Sequence, residues 1–148
     1  MPKMTAGLAM AVLLGFSSGS HLSLADSEAI DIARQAARAW EGTTDGAKWT
    51  FDVVDPSIDK LAGFTSVIFY VDNDPVLDIS IDLASGEVVD RNRCVYFDGP
   101  YFSRLRKKIQ ALTHSKELPR RTLATKLGCD RLSIKRYRST SNSRLKAR

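Results

Sequence analysis

Two runs joined by a tight turn, TSVIFYVD at residues 65–72 and PVLDISIDL at residues 75–83, constrain this chain more than any other feature. The second run alternates: Leu77, Ile79, Ile81 and Leu83 are apolar, and Asp78, Ser80 and Asp82 between them are polar. A period of two sends successive side chains to opposite faces of a strand. The first run is continuously apolar and reads as a central strand. DNDP at residues 72–75 supplies the turn, with Pro75 setting its backbone angle. KWTFDVVD at residues 48–55 alternates too, with Trp49, Phe51 and Val53 on one face and Thr50 and Asp52 on the other. After ASG at residues 84–86, EVVDRNRCVYF at residues 87–97 suits a fourth strand.

Ahead of these runs, DSEAIDIARQAARAW at residues 26–40 has helical spacing. Ala29, Ile32, Ala33, Ala36, Ala37 and Trp40 line one face. Asp26 or Ser27 suits the start, Glu28 and Asp31 suit the positive end of the helix dipole, and Gly42 suits the stop. The expected class is α+β, one helix packed on a 3–4-stranded antiparallel sheet. The polar residues Asp52, Asp78 and Asp82 are expected to make the opposite face acidic.

Charge divides the 148 residues sharply. Residues 26–98 carry fifteen acids and six bases, a net of −9. Residues 99–148 carry two acids and fifteen bases, a net of +13. Such asymmetry points to an acidic module joined to a basic one. The basic half suits nucleic acid, an anionic surface or the chain's own acidic half.

The N-terminus has the parts of a signal peptide over residues 1–25. Lys3 is the positive start, Ala6 to Phe16 is an uncharged apolar run, and SLA at residues 23–25 suits cleavage before Asp26. The run is shorter than the roughly 20 residues a spanning helix needs. The mature chain is then expected to be periplasmic or secreted. In such a compartment the two cysteines, Cys94 and Cys129, suit one disulfide bond, worth about 3–4 kcal/mol in the loop-entropy account. Two buried free thiols are the other option. Zinc is disfavoured: neither cysteine has a CxxC partner, and His114 is the only histidine beyond residue 25.

The order helix, strand, strand, strand, IDLASGEVV resembles the PepSY domain, over residues 26–90. EAIDIARQA is similar to that family's opening helix. DLASGEVV, with Asp82, Ser85, Gly86 and Glu87, is similar to its closing signature. The resemblance implies a non-catalytic module that holds or inhibits another protein in the cell envelope. The basic appendage and Cys94 depart from that pattern.

The basic half expects a helical hairpin over residues 99–138 and a disordered tail over 139–148. Phe102, Leu105, Ile109 and Leu112 form one apolar stripe, and Pro119 opens a second helix. Residues 120–138 have the spacing of a helix–turn–helix, with Ala124, Gly128 and Ile134 at its key positions. This looks like the winged-helix and related repressor families. Arg131, Lys135, Arg136 and Arg138 would then meet phosphates and base edges. The same spacing equally suits a plain helical hairpin. DNA is a partner only for a chain kept in the cytoplasm. For an exported chain the same cations suit an envelope protein, an anionic polymer or lipid headgroups.

No catalytic signature is present. There is no G-x-S-x-G or H-E-x-x-H, and DND at residues 72–74 lacks the glycine and distal glutamate of a calcium loop. No enzyme activity, metal or cofactor is expected.

Overall fold

The computed structural model describes residues 22–40, 49–55 and 63–138. Most of the signal segment, the Gly42 stop and the tail at 139–148 lie outside the described residues. The elements run α1 (Asp26–Arg38), β1 (Trp49–Val54), β2 (Phe64–Val71), β3 (Asp74–Asp82), β4 (Val88–Asp90), β5 (Val95–Asp98), α2 (Pro100–Thr113), α3 (Arg120–Leu127) and β6 (Ser133–Arg136). The class is α+β. One sheet takes all six strands in chain order.

The first four pairings are antiparallel. β2 and β3 meet through a two-residue turn in which Asp72 and Asn73 both have positive φ. That backbone matches the twist of a hairpin, and Asp and Asn tolerate it better than other side chains. Residues directly opposite one another share a face, so the register sorts the side chains. Val67, Phe69, Leu77, Ile79, Ile81, Val88, Val95 and Phe97 form one layer, buried against α1. The contact face of α1 is mostly alanine, which brings its backbone close to the sheet. Ala25, in extended geometry, takes the cap position, and Asp26 lies inside the first turn rather than capping it. Phe102 of α2 stacks on Phe97 in the same layer. The opposite face carries a smaller cluster, in which Leu123 of α3 packs with Phe64, Val89 and Tyr96.

Two expectations are corrected. The sheet has six strands rather than three or four, and the basic half does not form a helical hairpin. After α3 the chain returns as β6, paired in parallel with β5. Three features hold β6 there: Ser133 donates to the Cys94 carbonyl, Tyr137 donates to the Asp98 carbonyl, and Cys94 is bonded to Cys129. Without β6, the outer edge of β5 would leave backbone groups unpaired. A parallel neighbour needs a crossover connection, and α2 and α3 are that crossover.

The acidic face is corrected as well. Asp52 is exposed, but Asp78 is buried and pairs with Arg91 at 3.1 Å. Asp82 is buried at the end of β3.

Candidate functional site

The signature Asp82, Ser85, Gly86 and Glu87 is wholly buried, so it offers no ligand a surface. It works as an internal clasp. One Asp82 carboxylate oxygen accepts from the Ala84 N–H, and the other accepts from the Ser85 hydroxyl at 2.8 Å. The turn then presents its carbonyls to α2. Gln110 donates to the Ser85 carbonyl, and Thr113 and Ser115 donate to the Ala84 carbonyl. Gly86 has φ +78°, and a Cβ there would lie 2.9 Å from the Arg106 Cα. Only glycine admits both that backbone and that contact.

Glu87 anchors the linker between α2 and α3. Its Oε1 accepts from the Leu118 N–H at 3.2 Å, while its buried Oε2 has no hydrogen-bond partner among the described residues. Burial pushes this carboxyl up from 4.5 to about 7, a rise that the Leu118 N–H opposes and the Asp82 charge reinforces. The folded state therefore favours the protonated form. Its contribution is fully present below pH 4.5 and is lost as pH rises through 7. Replacing Glu87 with Gln should remove this slope. The variant is expected to be about 3 kcal/mol more stable than wild type at pH 8 and nearly equal at pH 4. Urea midpoints measured across that range test this, and parallel pH profiles for the two proteins would refute it.

The basic residues divide into two groups. Arg131, Arg136 and Arg138 are exposed, as are Arg104, Lys107, Lys116, Arg120, Arg121 and Lys126 on α2, α3 and their linker. Between residues 99 and 138 the exposed charged residues are cationic apart from Glu117 and Asp130. Lys135 is different: it lies 4.8 Å above the Trp40 ring, which Arg93 approaches to 5.5 Å and Phe97 meets edge-on. Arg106 is bound inward, 2.9 Å from Asp98, with its guanidinium over Tyr96. Burial pushes the Asp98 carboxyl up, but Arg106, the Gly99 N–H and Arg136 outweigh burial and hold it below its ordinary value. Burial also drives the Tyr96 hydroxyl to about 12.

The four cations expected on a recognition helix are not on one. Ser133–Arg136 is a strand, and Arg131 and Arg138 flank it. A strand alternates its side chains, so Lys135 faces the α1 layer and Arg136 the other side. The helix–turn–helix geometry is therefore absent. Cys94 and Cys129 are joined, with Cα atoms 6.0 Å apart, which ties the β4–β5 turn to the end of α3. Among the described residues no group of three or more His, Cys, Asp or Glu side chains is placed to hold a metal ion. No described helix is long and apolar enough to cross a membrane.

A sheet of five strands joined by four antiparallel pairings, closed by a parallel sixth strand and bridged to its own crossover, is a specific arrangement. It has a counterpart. No protein family and no curated protein matches the sequence. A chain in the solved structure of a type VI secretion system effector–immunity complex from Pseudomonas protegens shares the fold, with a TM-score of 0.55 at 17% identity, over 72% of this chain and 90% of that one. At that identity the likeness is one of architecture.

Sequence reading did not anticipate the burial of Glu87, the cationic sandwich on Trp40 or the Asp98–Arg106 pair. The first left a faint signal, a charged residue directly before the apolar pair Val88 and Val89. The Trp40 contacts join residues far apart in the chain, and the Asp98–Arg106 pair forms only because Gly99 turns the chain from β5 into α2.

Proposed function

We propose that this protein is exported and binds another protein, holding or inhibiting it without chemistry of its own. The observation that carries the proposal is the shared fold with a chain from an effector–immunity complex, an assembly of two proteins. The Cys94–Cys129 bridge supports residence in an oxidising compartment, the periplasm or beyond. The PepSY-like order of one helix and successive antiparallel strands over residues 26–90 fits a binding module. The cationic surface of α2, α3 and β6 supplies the complementary charge for an acidic partner, where steering raises the association rate.

Cross-linking in intact cells, followed by mass spectrometry, is the test. Reversing Arg131 and Arg138 to Glu should leave the melting temperature nearly unchanged, because both are exposed and flank β6 rather than lie in it. Partner capture should fall at least tenfold, through slower association. Capture unaffected by charge reversal would remove the cationic surface from the interface. Binding of duplex DNA with a steep salt slope would overturn the protein-partner proposal altogether.

A further inference from the structure

The chain just before α1 runs alongside a groove. Leu22 and Leu24 are half-buried and Ser23 and Ala25 are exposed, the alternation of an extended segment. Leu22, Ser23 and Leu24 line a groove of about 460 Å³ whose other walls are Ile32 of α1 and Tyr101, Leu105 and Leu112 of α2. Leu24 also packs against the main core layer. Leu112, at 60% exposure, is the most open large apolar side chain among the described residues. The segment is thus a wall of the groove but does not fill it.

We propose that this α1–α2 groove is a docking site for an extended segment of a partner protein carrying two large apolar side chains two residues apart, and that Leu22–Ala25 covers part of it until the chain is cut before Asp26. The chain's own LSL shows what the surface accepts: a strand-like stretch whose alternate leucines turn inward while the residues between them stay in water. Removing residues up to Ala25 would uncover Ile32, Tyr101 and Leu105 and merge the vacated space with the open groove beside Leu112. An uncovered apolar groove of this kind is the usual mark of a recognition surface. The rim fits a polar backbone flanking the anchors, with Glu28 and Asp31 from α1 and Lys108 from α2. The covering role rests on the export proposal. The groove's capacity to bind does not.

Covalent attachment gives the covering segment an effective concentration in the millimolar range, so a free peptide competes poorly with it. The test uses the full chain, with methyl-labelled Ile and Leu, titrated with a peptide of residues 20–25, SHLSLA. Replacing Leu22 and Leu24 with Asp should open the groove. That variant is expected to bind the peptide at least tenfold more tightly than wild type, with methyl shifts at Ile32, Leu105 and Leu112. Adding Leu112→Asp, at an exposed position, should weaken binding about tenfold again. Because Leu24 touches the core, Leu22→Asp alone is the second variant, and an intermediate gain is expected from it. Folded variants that bind no better than wild type, or shifts confined to other surfaces, would overturn the proposal. The same methyl shifts from vesicles of anionic phospholipid, with none from the peptide, would overturn it in favour of a membrane-facing groove. Intact mass of the periplasmic protein tests the cut before Asp26 separately. An uncut chain would overturn the uncovering by cleavage and leave the peptide result standing, so the two failures are distinguishable.

Discussion

Replacing both Cys94 and Cys129 with Ser is expected to lower the unfolding free energy by about 4 kcal/mol. The bridge closes a loop of 35 residues. In the chain-entropy account a loop of that length restricts the unfolded state by about this amount. The consequence should be uneven across the fold. α3 rests on the sheet mainly through Leu123, and β6 is a four-residue edge strand with most of its side chains exposed. Such elements open locally at low cost once a tether is removed. Hydrogen exchange in the double variant should therefore show β6 and α3 losing protection first, while β2 and β3 keep theirs. Urea titration gives the total, and exchange gives its distribution. A bridge-free protein with wild-type protection at Ser133 and Tyr137 would mean that β6 holds its place without the disulfide. The same expectation bears on export: a chain folded under reducing conditions starts with this deficit.

Gly99→Ala is the second large effect, at about 3 kcal/mol or more. Gly99 joins β5 to α2 with φ +134°, and a Cβ there would lie 2.0 Å from the Tyr137 carbonyl oxygen. The neighbouring atoms are backbone, so no rotamer change relieves the contact. The end of β6 must move away, breaking the bond from the Tyr137 N–H to the Asp98 carbonyl. The substitution thus probes the feature that replaced the expected recognition helix. If residues 133–138 were helical and remote from Gly99, alanine would cost only the backbone strain. A difference in stability under 1 kcal/mol between wild type and Gly99→Ala, measured by urea unfolding, would contradict the parallel β5–β6 pairing. Arg136 and Asp98 give a finer readout. They lie 3.7 Å apart across that pairing, so displacing β6 should move the Asp98 titration upward, but only in part, because Arg106 and the Gly99 N–H are the stronger holds.

Much of the fold was written in local patterns. The alanine and isoleucine spacing of residues 29–37 determined α1, because a helix repeats every 3.6 residues and the stripe matches. The alternation in β1 and β3, with a turn read at residues 72–75, determined the antiparallel core, although the turn closes at Asp72–Asn73 and Pro75 lies inside β3. The pairing of Cys94 with Cys129 followed from there being only two cysteines. Other features were decided by tertiary structure. SIKR at residues 133–136 carries no strong preference by itself. It is a strand because the open edge of β5, the Cys129 tether and the small Gly99 offer its backbone partners that a helix would leave unused. Asp82 read as a surface acid and Glu87 only as part of a short signature, yet the close approach of α2 at Gly86 buries both, and the backbone N–H groups of Ala84 and Leu118 bond to them. The α1–α2 groove belongs to the same class, since residues 22–24 and 101–112 meet only once the sheet has brought the two helices together. Periodicity along a chain determines which face of an element is apolar. Which element then covers that face depends on hydrogen-bond partners and contacts tens of residues away, and those exist only in the assembled fold.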